Sequence, residues 1–451
     1  MVHAFEHKGK YLALDEFSGA LHVLDRAAYS AVKMMAEGAA RRDVLAALSA
    51  ETGAAEAEDL FGEIDALVAD GQLFTEPPKL AERGNAGEIK ALCLHAAHDC
   101  DLRCAYCFAS TGSFRGGRSL MPAEVGRAAL DFLIAHSGGR NTLEVDFFGG
   151  EPLLNFGMVK DTVRYGRELE KKTGKRIRFT LTTNGTGLTD EVGRFLNEEM
   201  HNVVVSIDGR PEIHDALRKT ADGRGSHVKI LANAQRFVAS RGDKSYYIRG
   251  TFTRRNLNFA SDALYLFDQG FTNVSVEPAV LPLSSPISLQ PEHLERILAE
   301  YDRLAGALTE RMKRGNTPEV FFHYNIEFGG GPCVYKRLSG CGAGSEYMAV
   351  TPEGDLFPCH QFVGEEGFRL GNVMTGELDE SRRAPFHRTI ATELERCAGC
   401  WARPWCGGGC AANAWHMNGD VRKPYGMECE MEKKRIECAA WLYVMNHEEH
   451  Y

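Results

Sequence analysis

No stretch of this chain approaches the ~20 consecutive apolar residues that a membrane helix needs. Its first residues, Met1 to Phe17, mix His, Lys, Asp and Glu with apolar side chains, so the apolar segment of a secretory signal is missing and a cytosolic protein is expected. Positive charge is also short. Lys and Arg number 52 against 62 Asp and Glu, a net charge of −10, which leaves no broad basic field for nucleic acid or an anionic membrane. Repeats and low-complexity tracts are absent. An apolar content of 44 % with 25 % charged residues is ordinary for a globular protein, and 451 residues exceed one compact core, so two or three domains are expected.

Cysteine, by contrast, is abundant. Thirteen are present, ten of them in two groups, Cys100 to Cys107 and Cys333 to Cys410. In a reducing compartment thiols grouped this tightly are more often metal ligands than disulfides.

Residues 1–75 read as one small unit. Tyr11, Ala13 and Leu21-His22-Val23-Leu24 suggest short strands on either side of a Ser18-Gly19 turn; helical patterns follow at Arg26–Glu37, Arg41–Glu51 and Ala55–Ala69, then a strand at Gln72-Leu73-Phe74. This order is similar to a winged helix. Residues 1–80 carry seven Lys/Arg against fourteen Asp/Glu, a net of −7 and the wrong sign for DNA phosphates. A linker reads over 76–90. Beyond it strand and helix alternate six times, with strands at Ala91–His95, Leu143–Phe148, Ile177–Thr183, Val203–Ile207, Tyr246–Phe252 and Val274–Val276. Such alternation implies parallel strands with right-handed crossovers, a partial (β/α)6 barrel over 91–310 with its site at the carboxyl ends of the strands. From about Gly329 the chain turns to Gly, Cys and Pro, a region whose shape depends on metal, and residues 311–451 read as a bridging segment followed by that Cys-rich domain.

Cys100-x3-Cys104-x2-Cys107 follows the first strand. Three thiolates so spaced can hold three irons of a [4Fe–4S] cube and leave the fourth iron open; a zinc site would need a fourth ligand, for which His98 is available. Farther on, Gly149-Gly150-Glu151-Pro152, Thr183-Asn184-Gly185 and Ser206-Ile207-Asp208-Gly209 end the second, third and fourth strands. The glycines permit close backbone approach, and the others supply short polar groups, which are also what turns and helix caps use.

The Cys100 spacing, with Tyr106 before the last cysteine, resembles the radical S-adenosylmethionine (SAM) superfamily. The resemblance implies that the open iron takes the amino and carboxylate groups of SAM, that Tyr106 lies against the adenine, and that a 5′-deoxyadenosyl radical is produced. Gly149, Gly150 and Glu151 would meet the SAM ammonium, and Thr183, Asn184, Ser206 and Asp208 its ribose and carboxylate. Arg218 is a candidate for the carboxylate and Glu277 for adenine or ribose.

The distal cysteines resemble the SPASM extension of that superfamily. The likeness implies two auxiliary [4Fe–4S] clusters: Cys341, Cys359 and Cys410 for the first, with Cys333 as its uncertain fourth ligand, and Cys397, Cys400, Cys406 and Cys429 for the second. Zinc ribbons are the alternative, although only Cys397-x2-Cys400 has their CxxC form. Cys93 and Cys438 read as buried packing residues.

Ala91-Leu92-Cys93-Leu94-His95-Ala96-Ala97-His98-Asp99-Cys100, Asp146-Phe147-Phe148-Gly149-Gly150-Glu151-Pro152 and Arg249-Gly250-Thr251-Phe252-Thr253-Arg254 narrow this to a likeness to the maturases of SCIFF peptides (six cysteines in forty-five residues). Those enzymes, with the sactipeptide and ranthipeptide synthases, install thioether crosslinks. The resemblance implies an amino-terminal domain that binds the leader of a Cys-rich precursor peptide, a donor thiolate held by the first auxiliary cluster, and an electron donor such as flavodoxin or ferredoxin. A sulfatase-maturing, formylglycine-forming enzyme and a carbon–carbon crosslinking maturase are the alternatives, and a zinc-binding winged-helix regulator is the non-enzymatic one.

Overall fold

The structure is a computed structural model that describes residues 1–77, 87–315, 318–328, 340–387 and 389–447. Strands β1 (Val2–His7) and β2 (Lys10–Asp15) form a hairpin through Lys8 and Gly9, at φ 48° and 79°. A two-residue turn with both residues left-handed matches the twist of antiparallel strands. Strand β3 (Leu21–Leu24) adds to β2, and helices α1 (Arg26–Ala36), α2 (Arg41–Thr52) and α3 (Ala54–Ala69) follow. The Asp25 side chain caps α1 by accepting from the Ala28 amide at 2.7 Å.

Period-two alternation gives this sheet two employed faces. Val2 and Ala13 pack with Val32, Leu48 and Phe61 of the helices, whereas Phe5, Leu12, Leu14 and Leu21 join the core of the catalytic body. The expected strand at Gln72-Leu73-Phe74 does not form. Leu73 instead plugs the helical core at 2 % exposure, and Phe74, at φ 52°, breaks any extended run.

The body is built on β4 (Ala91–Ala97), β6 (Thr142–Gly149), β7 (Arg176–Thr183), β8 (Met200–Ser206), β10 (Ser245–Phe252) and β11 (Asn273–Pro278), paired in parallel in that order. Helices α4 (Ala123–His136), α5 (Phe156–Thr173), α6 (Asp190–Glu199), α8 (His227–Ala239) and α9 (Phe259–Asp268) make the crossovers, with the short α7 (Pro211–Leu217) after β8, and α10 (Leu294–Lys313) after β11 leads to β12 (Val320–Phe321), which pairs in parallel with β11. This is the partial (β/α)6 barrel. Along β6, Leu143, Val145 and Phe147 are fully buried, while Asp146 and Phe148 line cavities of the barrel.

The short antiparallel pair β5 (Leu102–Cys104) and β9 (Arg218–Thr220) sits beside the main sheet. Beyond the barrel the chain returns to it: β13 (Tyr347–Val350) pairs in parallel with β4 and continues into an antiparallel meander over residues 355–378. The Cys-rich region is therefore an extension of the barrel sheet. The last helix, Gly426–Asn446, lies along α10, with Arg435 donating to the Tyr301 hydroxyl at 2.7 and 3.0 Å. Its other side meets the amino-terminal unit: His3 stacks on Trp401 at 3.7 Å and bonds Glu437, and buried Glu16 accepts from Arg403 at 2.7 Å. Among the described residues no helix is long and apolar enough to cross a membrane.

Candidate active site

The loop after β4 carries Cys100, Cys104 and Cys107 to the carboxyl ends of the strands, where they line a cavity of about 390 Å³. The position is fixed by local structure. Cys104 stands opposite Arg218 in the β5–β9 pair, and the Ala105 amide donates to the Leu217 carbonyl at 2.8 Å. Gly112 folds back on Cys100 so closely that a Cβ there would lie 2.8 Å from the Cys100 Cβ. Burial pushes the Cys100 thiol up to about 12 and Cys104 to about 11, so these groups are poor thiolates by themselves and suited to ionising on a metal. His98 is turned away from a ligand role: its Nε2 lies 3.0 Å from His95 Nδ1, and its ring stacks on Phe114.

The polar strand ends divide into two sorts. Gly149 and Gly150 form a turn against the cysteine loop; a Cβ on them would lie 2.4 Å from the Ala97 carbonyl oxygen and 2.2 Å from that of Asp99. This backbone cradle opens on the cavity together with Thr183, Asn184, Ser206, Arg218 and Glu277. Glu151 is instead buried beneath it, accepting from the Leu153 amide at 3.0 Å, Thr183 Oγ1 at 2.7 Å and the Asn184 amide at 2.7 Å. It ties the ends of β6 and β7. Desolvation raises its carboxyl to about 7 against the pull of those donors.

Asp208 is equally enclosed. Tyr106 donates its hydroxyl to the Asp208 carboxylate at 2.7 and 2.8 Å and accepts from Arg218 Nη1 at 2.7 Å, and the Thr251 amide closes on the same carboxylate at 3.1 Å. Arg218 is 7 % exposed, and its Nε has no hydrogen-bond partner among the described residues. An orphaned guanidinium N–H on the wall of a cavity fits an anionic ligand. Glu277 is held low by His323, 3.1 Å away, with Arg249 and Arg435 adding to the effect.

The same cavity reaches Cys410, His360, Asn413, Glu428 and Arg435. Beyond burial, Cys410 and Cys341 lie near enough to raise the Cys359 thiol and Cys341 to raise Cys410, and a second neighbourhood joins Cys397, Cys400, Cys406 and Cys429. An adjoining cavity of about 560 Å³ is lined from both groups, by Cys341 and Cys410 and by Cys406 and Cys429. The sequence separates members of each group by up to tens of residues, and the tertiary fold brings them into neighbourhoods. Cys333 lies outside the described residues.

Several residues in or beside the cavity escaped the sequence reading. Asp101, beside Cys100, accepts from Asn184 Nδ2 at 2.7 Å and from the Thr186 hydroxyl. Phe108 and His360, each next to a cysteine of a different group, contact one another at 5.3 Å. Arg249 and Thr251 at the end of β10 were discoverable by the rule that strand ends bear the site. His360, Asn413, Glu428 and Arg435 had no such signal, because they arrive from outside the barrel.

A barrel mouth with three converging thiols, a glycine cradle and an orphaned arginine defines a protein that houses a metal cluster and an anionic cofactor. Residues 96–250 match the model of the radical SAM superfamily, and residues 341–401 that of SPASM, an iron–sulfur cluster-binding domain. The chain thus carries a radical SAM domain followed by a SPASM domain and is an enzyme that uses SAM and iron–sulfur clusters.

Among curated relatives, the cysteine-type anaerobic sulfatase-maturating enzyme of Clostridium novyi is 24 % identical over 70 % of this chain and 86 % of its own length. The mycofactocin maturase MftC of Mycobacterium ulcerans is 27 % identical over 75 % of this chain and 88 % of its own. Of solved structures, anSMEcpe with bound AdoMet and Cp18Cys peptide aligns at TM-score 0.63 and 22 % identity over 79 % of this chain and 99 % of that one. Streptococcus suis SuiB bound to precursor peptide SuiA aligns at TM-score 0.54 and 18 % identity, over 94 % of this chain and 97 % of that one. These likenesses establish a shared fold.

Proposed function

We propose that the chain installs thioether crosslinks, cysteine sulfur to carbon, in a Cys-rich ribosomal precursor peptide. The observation that carries this reading is the cavity running from Cys100, Cys104 and Cys107 to Cys410. A thioether synthase must present a carbon at the radical source and a sulfur at a second centre within one enclosure. When bound, the clusters and SAM supply a 5′-deoxyadenosyl radical, a metal centre for the donor sulfur and a destination for the electron released on bond formation.

The chain's own residues supply position and dryness. Gly149 and Gly150 offer backbone close to the cysteine loop, Arg218, whose Nε has no partner among the described residues, would meet the carboxylate, and the Asp208 carboxylate behind Tyr106 holds Arg218 in place. Cys100, Cys104 and Cys107 would hold the SAM cluster. Cys341, Cys359 and Cys410 would hold one auxiliary cluster, with Cys333 a candidate fourth ligand, and Cys397, Cys400, Cys406 and Cys429 the other.

A peptide substrate is further supported by SuiB, whose fold likeness extends over nearly all of this chain and which was solved with its precursor peptide. Among the described residues the edge of β3 pairs with no strand, so a leader segment could add there as a fourth strand.

Anaerobic reaction of enzyme, SAM, a reductant and a Cys-rich precursor should remove two hydrogens per crosslink and consume one thiol each, as read by mass spectrometry and thiol labelling. Hydrogen exchange should show protection of the β3 amides by the leader alone. A formylglycine aldehyde in place of the crosslink would transfer the assignment to sulfatase maturation, and unchanged β3 exchange would refute the leader site.

A further inference from the structure

The amino-terminal unit meets the body at a small polar cluster that no step of the chemistry above uses. His7 at the end of β1, Asp302 on α10 and Cys438 on the last helix converge, one donor atom of each lying within 4.8 Å of the others. His7 and Cys438 are buried, at 5 % and 0 % exposure, and the His7 Nε2 has no hydrogen-bond partner among the described residues. Both contacts centre on one oxygen: His7 Nδ1 lies 3.6 Å from Asp302 Oδ1, and the Cys438 thiol donates to the same oxygen across 3.6 Å. The two spacings to Asp302 are near those of a tetrahedral site, because bonds of ~2.0 Å to N or O and ~2.3 Å to S, opened to the tetrahedral angle, put neighbouring ligand atoms roughly 3.3–3.6 Å apart.

We propose that His7, Asp302 and Cys438 bind one divalent zinc ion, with water in the fourth position, and that the ion staples the amino-terminal unit to the catalytic body. One histidine, one carboxylate and one thiolate form a donor set that zinc accepts, and partial exposure of the Asp302 side chain, at 35 %, gives water a route to the fourth position. Lys434 stands 3.5 Å from the same Asp302 oxygen, but its closer partner is Glu437 at 2.8 Å, which retains the ammonium when the ion takes Asp302. The Cys438 thiol gives up its proton to solvent as the Zn–S bond forms. The three ligands come from the first hairpin, the tenth helix and the final helix, so the ion would close a link between parts of the chain more than four hundred residues apart. This second metal chemistry is separate from the iron sites.

The test uses cluster-loaded, full-length enzyme dialysed against buffered zinc, with zinc and iron counted by mass spectrometry. Wild type should hold about one zinc per chain beyond its iron, with an X-ray absorption shell of about one sulfur and three N/O neighbours. His7→Ala, Asp302→Asn and Cys438→Ala should lose the zinc and keep the iron, and removing zinc from wild type should speed hydrogen exchange of the β1 amides. Wild-type zinc no higher than in Cys438→Ala, or a shell of three or four sulfurs, would overturn the assignment. The absorption spectrum of wild type alone decides it if a variant does not fold.

Discussion

Gly150→Ala isolates the glycine cradle as a cause of activity. Gly150 is not in a left-handed conformation, so alanine meets no backbone penalty there; the obstacle is space alone. A Cβ would sit 2.2 Å from the Asp99 oxygen, 2.7 Å from its carbonyl carbon and 2.9 Å from Gly112 Cα, where ordinary contact begins at 3.4 Å. All three are backbone atoms, so no side chain can swing aside, and regaining even 3.4 Å means parting the two segments by about 1.2 Å. Hydrogen bonds from Gly150 N to Ala97 O (2.8 Å) and from Glu151 N to Asp99 O (2.9 Å) carry that shift into the residue preceding Cys100. A misplacement of ~1 Å at a reacting centre costs on the order of 10²-fold, with ~1–3 kcal/mol of overpacking besides. Anaerobic 5′-deoxyadenosine production should fall by about that factor. Gly157→Ala, in α5 with nothing among the described residues within 4 Å of its Cβ, should leave production unchanged. Wild-type SAM cleavage by Gly150→Ala would refute the role of the cradle.

Replacing Cys100, Cys104 and Cys107 together with Ala should abolish 5′-deoxyadenosine and remove about four irons per chain while the rest of the iron stays, as elemental analysis would show. Tyr106→Phe keeps the ring but removes the hydroxyl shared by Asp208 and Arg218; it should cost ~1.5–3 kcal/mol in denaturant unfolding while SAM affinity by calorimetry changes little. Burial, with the Arg218 charge beside it, holds His214 down to about 2, so the folded state refuses a proton that the unfolded chain accepts below about 6.5. Stability should therefore fall as pH drops from 6.5 to 5, by ~2 kcal/mol from this residue, and His214→Asn, which preserves an acceptor for the Asp208 amide, should flatten that slope.

Sequence by itself determined the barrel and the three thiols at its mouth. Those rest on signals local in the chain: apolar strands at regular intervals, a three-cysteine spacing, glycines immediately after a strand. It missed the loss of the strand at 72–74, because an apolar Leu73 reads the same whether it pairs in a sheet or plugs a helical core. Residues meant for SAM were divided by the fold. Glu151 and Asp208 have strand-end positions like Ser206, yet the direction each side chain takes depends on neighbours such as Thr183, Asn184 and Tyr106, which meet them only after the strands are paired. The pairing of β13 with β4 brings Cys410, His360 and Glu428 to the cavity that holds Cys100, a contact between segments hundreds of residues apart. The same is true of His7, Asp302 and Cys438, unremarkable singly and brought together by the docking of the amino-terminal sheet. Spacing along a chain encodes only what a turn or a strand can bring within reach, and contacts of long sequence separation exist only once the sheets and helices have packed.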